Sequence, residues 1–114
     1  MNRPKISTRQ TGKLTNRPAS EKLGLGYHLI PWEAVRRLGK IFEDGQRKYK
    51  DGAVCAANIE RALDDQEWQA ERLNHAVDHL GKWMSGDRTE DHLAKVMWFC
   101  SVQIEIERLK AASE

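Results

Sequence analysis

The stretch from Glu71 to Trp83, ERLNHAVDHLGKW, constrains the fold more than any other part of the chain. Leu73, Ala76, Val77, Leu80 and Met84 recur at steps of three and four, the spacing of one buried helical stripe. Glu71, Asn74 and Asp78 follow the same period along one flank of that stripe, and His75 and His79 lie one turn apart on the other side. A helix that aligns two carboxylates and an amide at the edge of a core can hold a divalent cation in a cleft. The alternative reading is a solvated helix with ordinary flanking charges.

The same period extends along the chain. Ala34, Val35, Leu38, Ile41, Phe42 and Tyr49 predict a helix over Trp32–Tyr49, opened by Pro31, whose missing N–H costs nothing in a first turn. Gly45 interrupts that stripe at a cost of up to about 1 kcal/mol against alanine, so a close helix contact or a ligand should compensate. Lys50-Asp51-Gly52 reads as the stop, and Ala53–Leu63 as a short second helix built on Ile59 and Leu63. Asp64, three residues before Glu67, resembles a capping box opening the next helix. Thr89 is the expected cap of the last helix, Glu90–Ala112, with Glu90 and Asp91 in its first turn.

That last helix carries two apolar stripes. One is Leu93, Met97, Cys100 and Ile104; the other is Trp98, Val102, Ile106 and Leu109. A chain of 114 residues has little left to cover the second, so a homo-oligomer, a dimer or tetramer, is expected with this helix at the interface. No segment alternates like a strand. The expected architecture is an all-α bundle of four helices, one of them short, spanning 27–114 behind an extended basic arm, 1–26.

The arm holds six Lys/Arg against one acid, Glu21, so it carries +5 of a net +2 and leaves −3 on the body. It can meet nucleic acid, or reach the phosphates of a nucleotide. No aromatic residue interleaves with these charges, which disfavours single-strand binding, and an acidic body repels a duplex; a nucleic-acid partner is not expected. Gly24 and Gly26 form a loop, too weak a signal for a phosphate cradle. Cys55 and Cys100 lack metal-type spacing and read as buried free thiols in a reducing cytosol. No apolar run is long enough to span a membrane, and no signal peptide is visible.

The bundle-facing ionisable residues are Asp44, Lys48, Glu71 and Asp78, with Asn74 among them. Oxygen ligands without cysteine favour Mg²⁺ or Mn²⁺, and such an ion beside a lysine suits a polyphosphate. The rival is zinc on His75, His79 and His92, disfavoured because Ala76 stands where an HExxH helix needs glutamate. Asp78-His79 and Asp91-His92 invert the His-Asp order of metal phosphohydrolases, which argues against that class.

The order Pro31-x-x-Ala34, Gly39, Gly45-x-x-Lys48-Tyr49, Asn58, His79-Leu80-x-x-Trp83-x-x-Gly86 and His92-x-x-Lys95 resembles the phage MazG-like dATP/dGTP diphosphohydrolases, over roughly Asn16–Leu109. The resemblance implies an all-α, Mg²⁺- or Mn²⁺-dependent pyrophosphohydrolase of an infected host cell's cytoplasm. It would cut a purine deoxynucleoside triphosphate, dGTP first, to the monophosphate, supplying dGMP for diaminopurine-containing DNA. It also implies catalytic roles for Lys48 and His79 and substrate contacts from Lys48, Tyr49, Asn58, His92 and Lys95, while a catalytic role for Asp78 and a substrate contact from Asn74 rest on their place on the helix flank. Metal ligation then falls to Asp44, Glu71 and Asp78. Asp78 replaces the arginine of the family's R-H-L, and Asn74 stands where many members have aspartate. The expected chemistry is metal-assisted hydrolysis at the α–β junction, with Lys48 and Lys95 stabilising the departing pyrophosphate. Tyr27 and Trp32 read as core aromatics, with stacking on the base as the alternative. The competing function is a small helical nucleic-acid-binding or regulatory module, which should show salt-dependent DNA binding and no need for a metal.

Overall fold

Three α-helices and two 3₁₀ turns make up the regular structure, with no strand among the described residues. The structure is a computed structural model describing residues 24–49 and 53–113. Most of the expected basic arm, and Lys50-Asp51-Gly52, lie outside them.

Helix α1 spans Trp32–Lys48. Pro31 precedes it at φ −55°, and its carbonyl accepts from Ala34 N at 3.1 Å. The helix gives way at Tyr49, whose backbone is extended. Gly45 is explained by proximity: a Cβ there would sit 2.9 Å from the Ala53 Cβ. The compensating contact is thus helix against returning loop rather than helix against helix.

The segment 53–63 is not the short helix its apolar pattern predicts. It is an irregular turn closing in a single 3₁₀ turn, Ile59–Ala62. Side chains supply the hydrogen bonds that a helix would have made internally. Asn58 accepts from Cys55 N at 2.8 Å and donates to the Ala53 carbonyl at 3.1 Å. Gln69 donates to the carbonyls of Ala62 and Leu63, at 2.7 and 3.2 Å. The described chain is therefore a three-helix rather than a four-helix assembly.

Helix α2, Gln66–Met84, is capped by Asp65, one residue later than expected: its carboxylate accepts from Trp68 N at 2.9 Å. At the other end Gly86 adopts φ +96°. Its N–H donates to the Trp83 carbonyl and that of Asp87 to the Lys82 carbonyl, both at 3.0 Å, the paired bonds of a Schellman stop. Helix α3, His92–Ala112, is capped by Asp91, which accepts from Ala94 N at 3.2 Å. Thr89, the expected cap, instead donates its N–H and hydroxyl to Asp87 Oδ1, at 2.8 and 2.7 Å.

Helix α3 is the floor on which α1, α2 and the Ile59–Ala62 turn all pack, while α1 and α2 do not pack against each other. The core lies where the turn meets the C-terminal half of α3: Ile59, Ala62, Val102 and Ile106 are buried, with Phe42, Leu63, Trp68 and Trp98 against them. Burying a side chain such as Ile106 stabilises by about 2 kcal/mol. Towards the other end, Arg37 of α1 grips Asp91 through both oxygens, at 2.8 and 2.5 Å.

The stripe Trp98–Val102–Ile106–Leu109 is the core-facing side of α3, as its spacing predicts. On α2 the expected buried stripe faces outward: Leu73, Val77, Leu80 and Met84 are 41–73% exposed and Ala76 alone of the five is buried. Cys100 is exposed and Cys55 half-buried, both free, so the expectation of two buried thiols does not hold. Tyr27 and Trp32 are also exposed rather than in the core. No helix among the described residues is long and apolar enough to cross a membrane.

Candidate active site

The gap between α1 and α2 is a cavity of about 880 Å³, floored by α3. That volume suits a small-molecule ligand, for which sites run to about 300–1,000 Å³. Helix α1 contributes Ile41, Asp44, Gly45 and Lys48 to its wall. Helix α2 contributes Trp68, Arg72, His75, Ala76 and His79, spaced at three and four. Lys95, Trp98 and Phe99 come from α3, and Tyr49, Ala53, Val54 and Arg61 complete the lining.

Four cations, Lys48, Arg61, Arg72 and Lys95, face one carboxylate, Asp44. Like charges gathered in a cleft cost self-repulsion unless an anion joins them. Arg72 shows this most directly. Its guanidinium lies 6.0 Å from the Trp68 ring centroid, and its Nε is buried with no hydrogen-bond partner among the described residues. A buried charged donor without an acceptor is costly, and an incoming oxyanion removes that cost. Lys48 Nζ lies 5.5 Å from the Tyr49 ring centroid. Asp44 is exposed, with Lys40 Nζ 3.5 Å away.

The family-matched residues separate into groups. Asp44, Lys48, Tyr49, His79 and Lys95 are brought together at the cavity. Asn58 pins the turn that carries the 3₁₀ segment. Glu71, Asn74 and Asp78 lie on an exposed face of α2 outside the cavity lining, and Asp78 pairs with Lys82 at 3.0 Å. That bond with Lys82 holds the Asp78 carboxyl below its ordinary value. Within one protomer, then, Asp44 does not meet Glu71 or Asp78 around a shared ion.

His92 is buried beneath His79, the two Nδ1 atoms 2.8 Å apart. Burial depresses the His79 imidazole below its ordinary value, with the Glu90 carboxylate working against it. Asp87 faces His92 from the far side, its Oδ2 3.3 Å from Nε2. The Thr89 hydroxyl and N–H, with a smaller contribution from His92, draw the Asp87 carboxyl down to about 2.

Arg61, Arg72, Trp68, Trp98 and Phe99 were not singled out as site residues by sequence reasoning. For Arg72 a signal existed: Trp68, Arg72, His75, Ala76 and His79 share a helical period. It was outweighed by the more hydrophobic stripe roughly 120° away around α2, at 100° per residue.

The described residues thus form an all-helical domain with a cationic cleft walled by aromatic side chains. Residues 15–113 match the family model of the dATP/dGTP diphosphohydrolase N-terminal domain, so the chain belongs to that family. No curated protein and no solved structure gives a match.

Proposed function

We propose that the chain is a divalent-metal-dependent pyrophosphohydrolase that converts a purine deoxynucleoside triphosphate, dGTP by preference, to the monophosphate and pyrophosphate. On this reading it is a MazZ-type phage enzyme supplying dGMP for diaminopurine-containing DNA. The observation that carries it is the cationic cleft: its four positive side chains, among them Arg72 with a buried Nε unpartnered among the described residues, suit the charge of a triphosphate.

The donor set fits Mg²⁺ or Mn²⁺ in one particular way. Such ions are commonly held by one or two carboxylates together with substrate phosphates, and Asp44 is the lining carboxylate. A bound ion would neutralise phosphate charge and polarise the phosphoryl oxygens. Lys48, Arg61, Arg72 and Lys95 bind the phosphates and stabilise charge on the departing pyrophosphate. In the reaction, the oxygen of water bonds to the α-phosphorus, the bond from that phosphorus to the bridging oxygen breaks, and pyrophosphate leaves. Trp68, Trp98, Phe99 and Tyr49 offer apolar surface for a purine.

The domain works as a homo-oligomer. Leu73, Val77, Leu80 and Met84 line one face of α2, and Ile104 is 64% exposed on the outward stripe of α3. Large exposed apolar side chains aligned in this way favour a second copy as cover.

The test is a panel of dNTPs with Mg²⁺ or Mn²⁺, nucleotide products being separated by chromatography. The expected result is dGMP and pyrophosphate from dGTP, lost in Lys48→Ala and weakened through a raised KM in Arg72→Ala. If no dNTP is consumed while duplex DNA is bound with a steep salt dependence, the reading is wrong and the nucleic-acid module stands in its place.

A further inference from the structure

We propose that His79, His92 and Glu90 form a binding site for one divalent transition-metal ion, between α2 and the start of α3. This site is separate from the Asp44 carboxylate of the phosphate cleft. Three donor atoms converge there: the two Nδ1 atoms are 2.8 Å apart, and Glu90 Oε1 lies 3.7 Å from His79 Nδ1. All three fit within 4.8 Å of one another. An ion about 2.1 Å from each spans those two gaps at angles of roughly 85° and 125°, within ordinary coordination geometry.

The surroundings of His92 supply a second observation. Its ring is 1% exposed, and its Nε2 makes no well-aligned hydrogen bond. The neighbouring acceptor is the Asp87 carboxylate, at 3.3 Å. A carboxylate on that side favours the tautomer with the proton on Nε2, which turns the Nδ1 lone pair towards His79 and Glu90. Carboxylate, imidazole and metal in that order is the usual outer support of a metal-binding histidine. Asp87 is itself fixed by the Schellman stop at Gly86 and by the two bonds from Thr89. Without an ion, two imidazole nitrogens at 2.8 Å must share one proton; an ion replaces that proton and satisfies both lone pairs.

Two nitrogens and one carboxylate select a borderline ion such as Zn²⁺ or Co²⁺ over Mg²⁺. Lys95 now holds Glu90 Oε1, so metal entry displaces its ammonium. Lys95 also lines the phosphate cleft, and it becomes free to meet an anion there.

The test uses the tag-free full chain after chelator treatment, with the metal alone as probe and no nucleotide. Zn²⁺ binding is followed by equilibrium dialysis and Co²⁺ binding by visible absorption. One ion per chain is expected. His79→Gln and Glu90→Gln, which alter less buried positions than His92, should each weaken binding at least tenfold. Asp87→Asn should weaken it about ten- to a hundredfold, and His75→Ala should leave it unchanged. Circular dichroism verifies that each variant is folded. Absence of stoichiometric binding by the wild-type chain, or unchanged affinity in folded His79→Gln and Glu90→Gln, overturns the proposal. Because no triphosphate is present, this outcome is independent of whether the cleft hydrolyses dNTPs.

Discussion

Asp91 does two jobs whose energies can be separated. Its carboxylate caps α3 by accepting from Ala94 N, and it ties α1 to α3 through Arg37. Loss of such a cap costs about 1 kcal/mol. The pair is bidentate but partly open to water, with side-chain exposures of 29% for Asp91 and 38% for Arg37. Solvent screening therefore limits it to about 0.5–1 kcal/mol. Asp91→Ala should cost about 2 kcal/mol, lowering Tm by about 10 °C in a domain of this size. Asp91→Ser keeps a capping oxygen and loses the charge, so it should cost about half as much. A double-mutant cycle with Arg37→Met, read by urea denaturation, should return about 0.5–1 kcal/mol of coupling. The pH dependence follows in sign. The bond with Arg37, aided by the Ala94 N–H, holds the Asp91 carboxyl below its ordinary value of 3.8. The folded state thus releases this proton more readily than the unfolded chain. The stabilisation is complete above pH 3.8 and disappears as pH falls through the lower folded value. Asp91→Ser should lack this component of acid unfolding. Equal losses in Asp91→Ser and Asp91→Ala, or a coupling of zero, would refute the division of roles.

Three further outcomes follow from the same coordinates. Arg72→Ala should raise KM for the triphosphate by about ten- to a hundredfold, the loss of a charge-assisted hydrogen bond, and steady-state kinetics would show no change if Arg72 faces no phosphate. Gly45→Ala should destabilise by about 1–3 kcal/mol despite better helix propensity, because the new methyl meets Ala53 at 2.9 Å; a gain in Tm would count against that contact. Leu80→Glu should shift an oligomer to monomer in light scattering at little cost to the fold of each copy, since Leu80 is 41% exposed.

The α1 and α3 helices were legible in the sequence to within one or two residues, because their apolar periods run the length of each, although Asp91 rather than Thr89 caps α3. The short helix over 53–63 was not, because Asn58 and Gln69 compete for the backbone across distances that no local pattern reveals. Which side of α2 faces inward was also misread. Hydrophobic ranking selects Leu73, Val77, Leu80 and Met84, whereas the inner side carries Arg72 and His79, polar because it borders the cleft. Lys48, Tyr49, His79 and Lys95, singled out by motif order, line the cavity. Arg61 reaches the cavity through the irregular turn and Phe99 through the packing of α3, neither of which leaves a spacing signal. The pairing of His79 with His92 depends on the Gly86 turn, which brings together residues thirteen apart.

Because α1 and α2 both lean on α3 without touching each other, the domain resembles an arch lacking its keystone. A molecule seated between them would bridge the two arms as well as occupy the space. Its arrival should then register as a mechanical event: slower amide exchange along both arms and a thermal transition that climbs with nucleotide concentration.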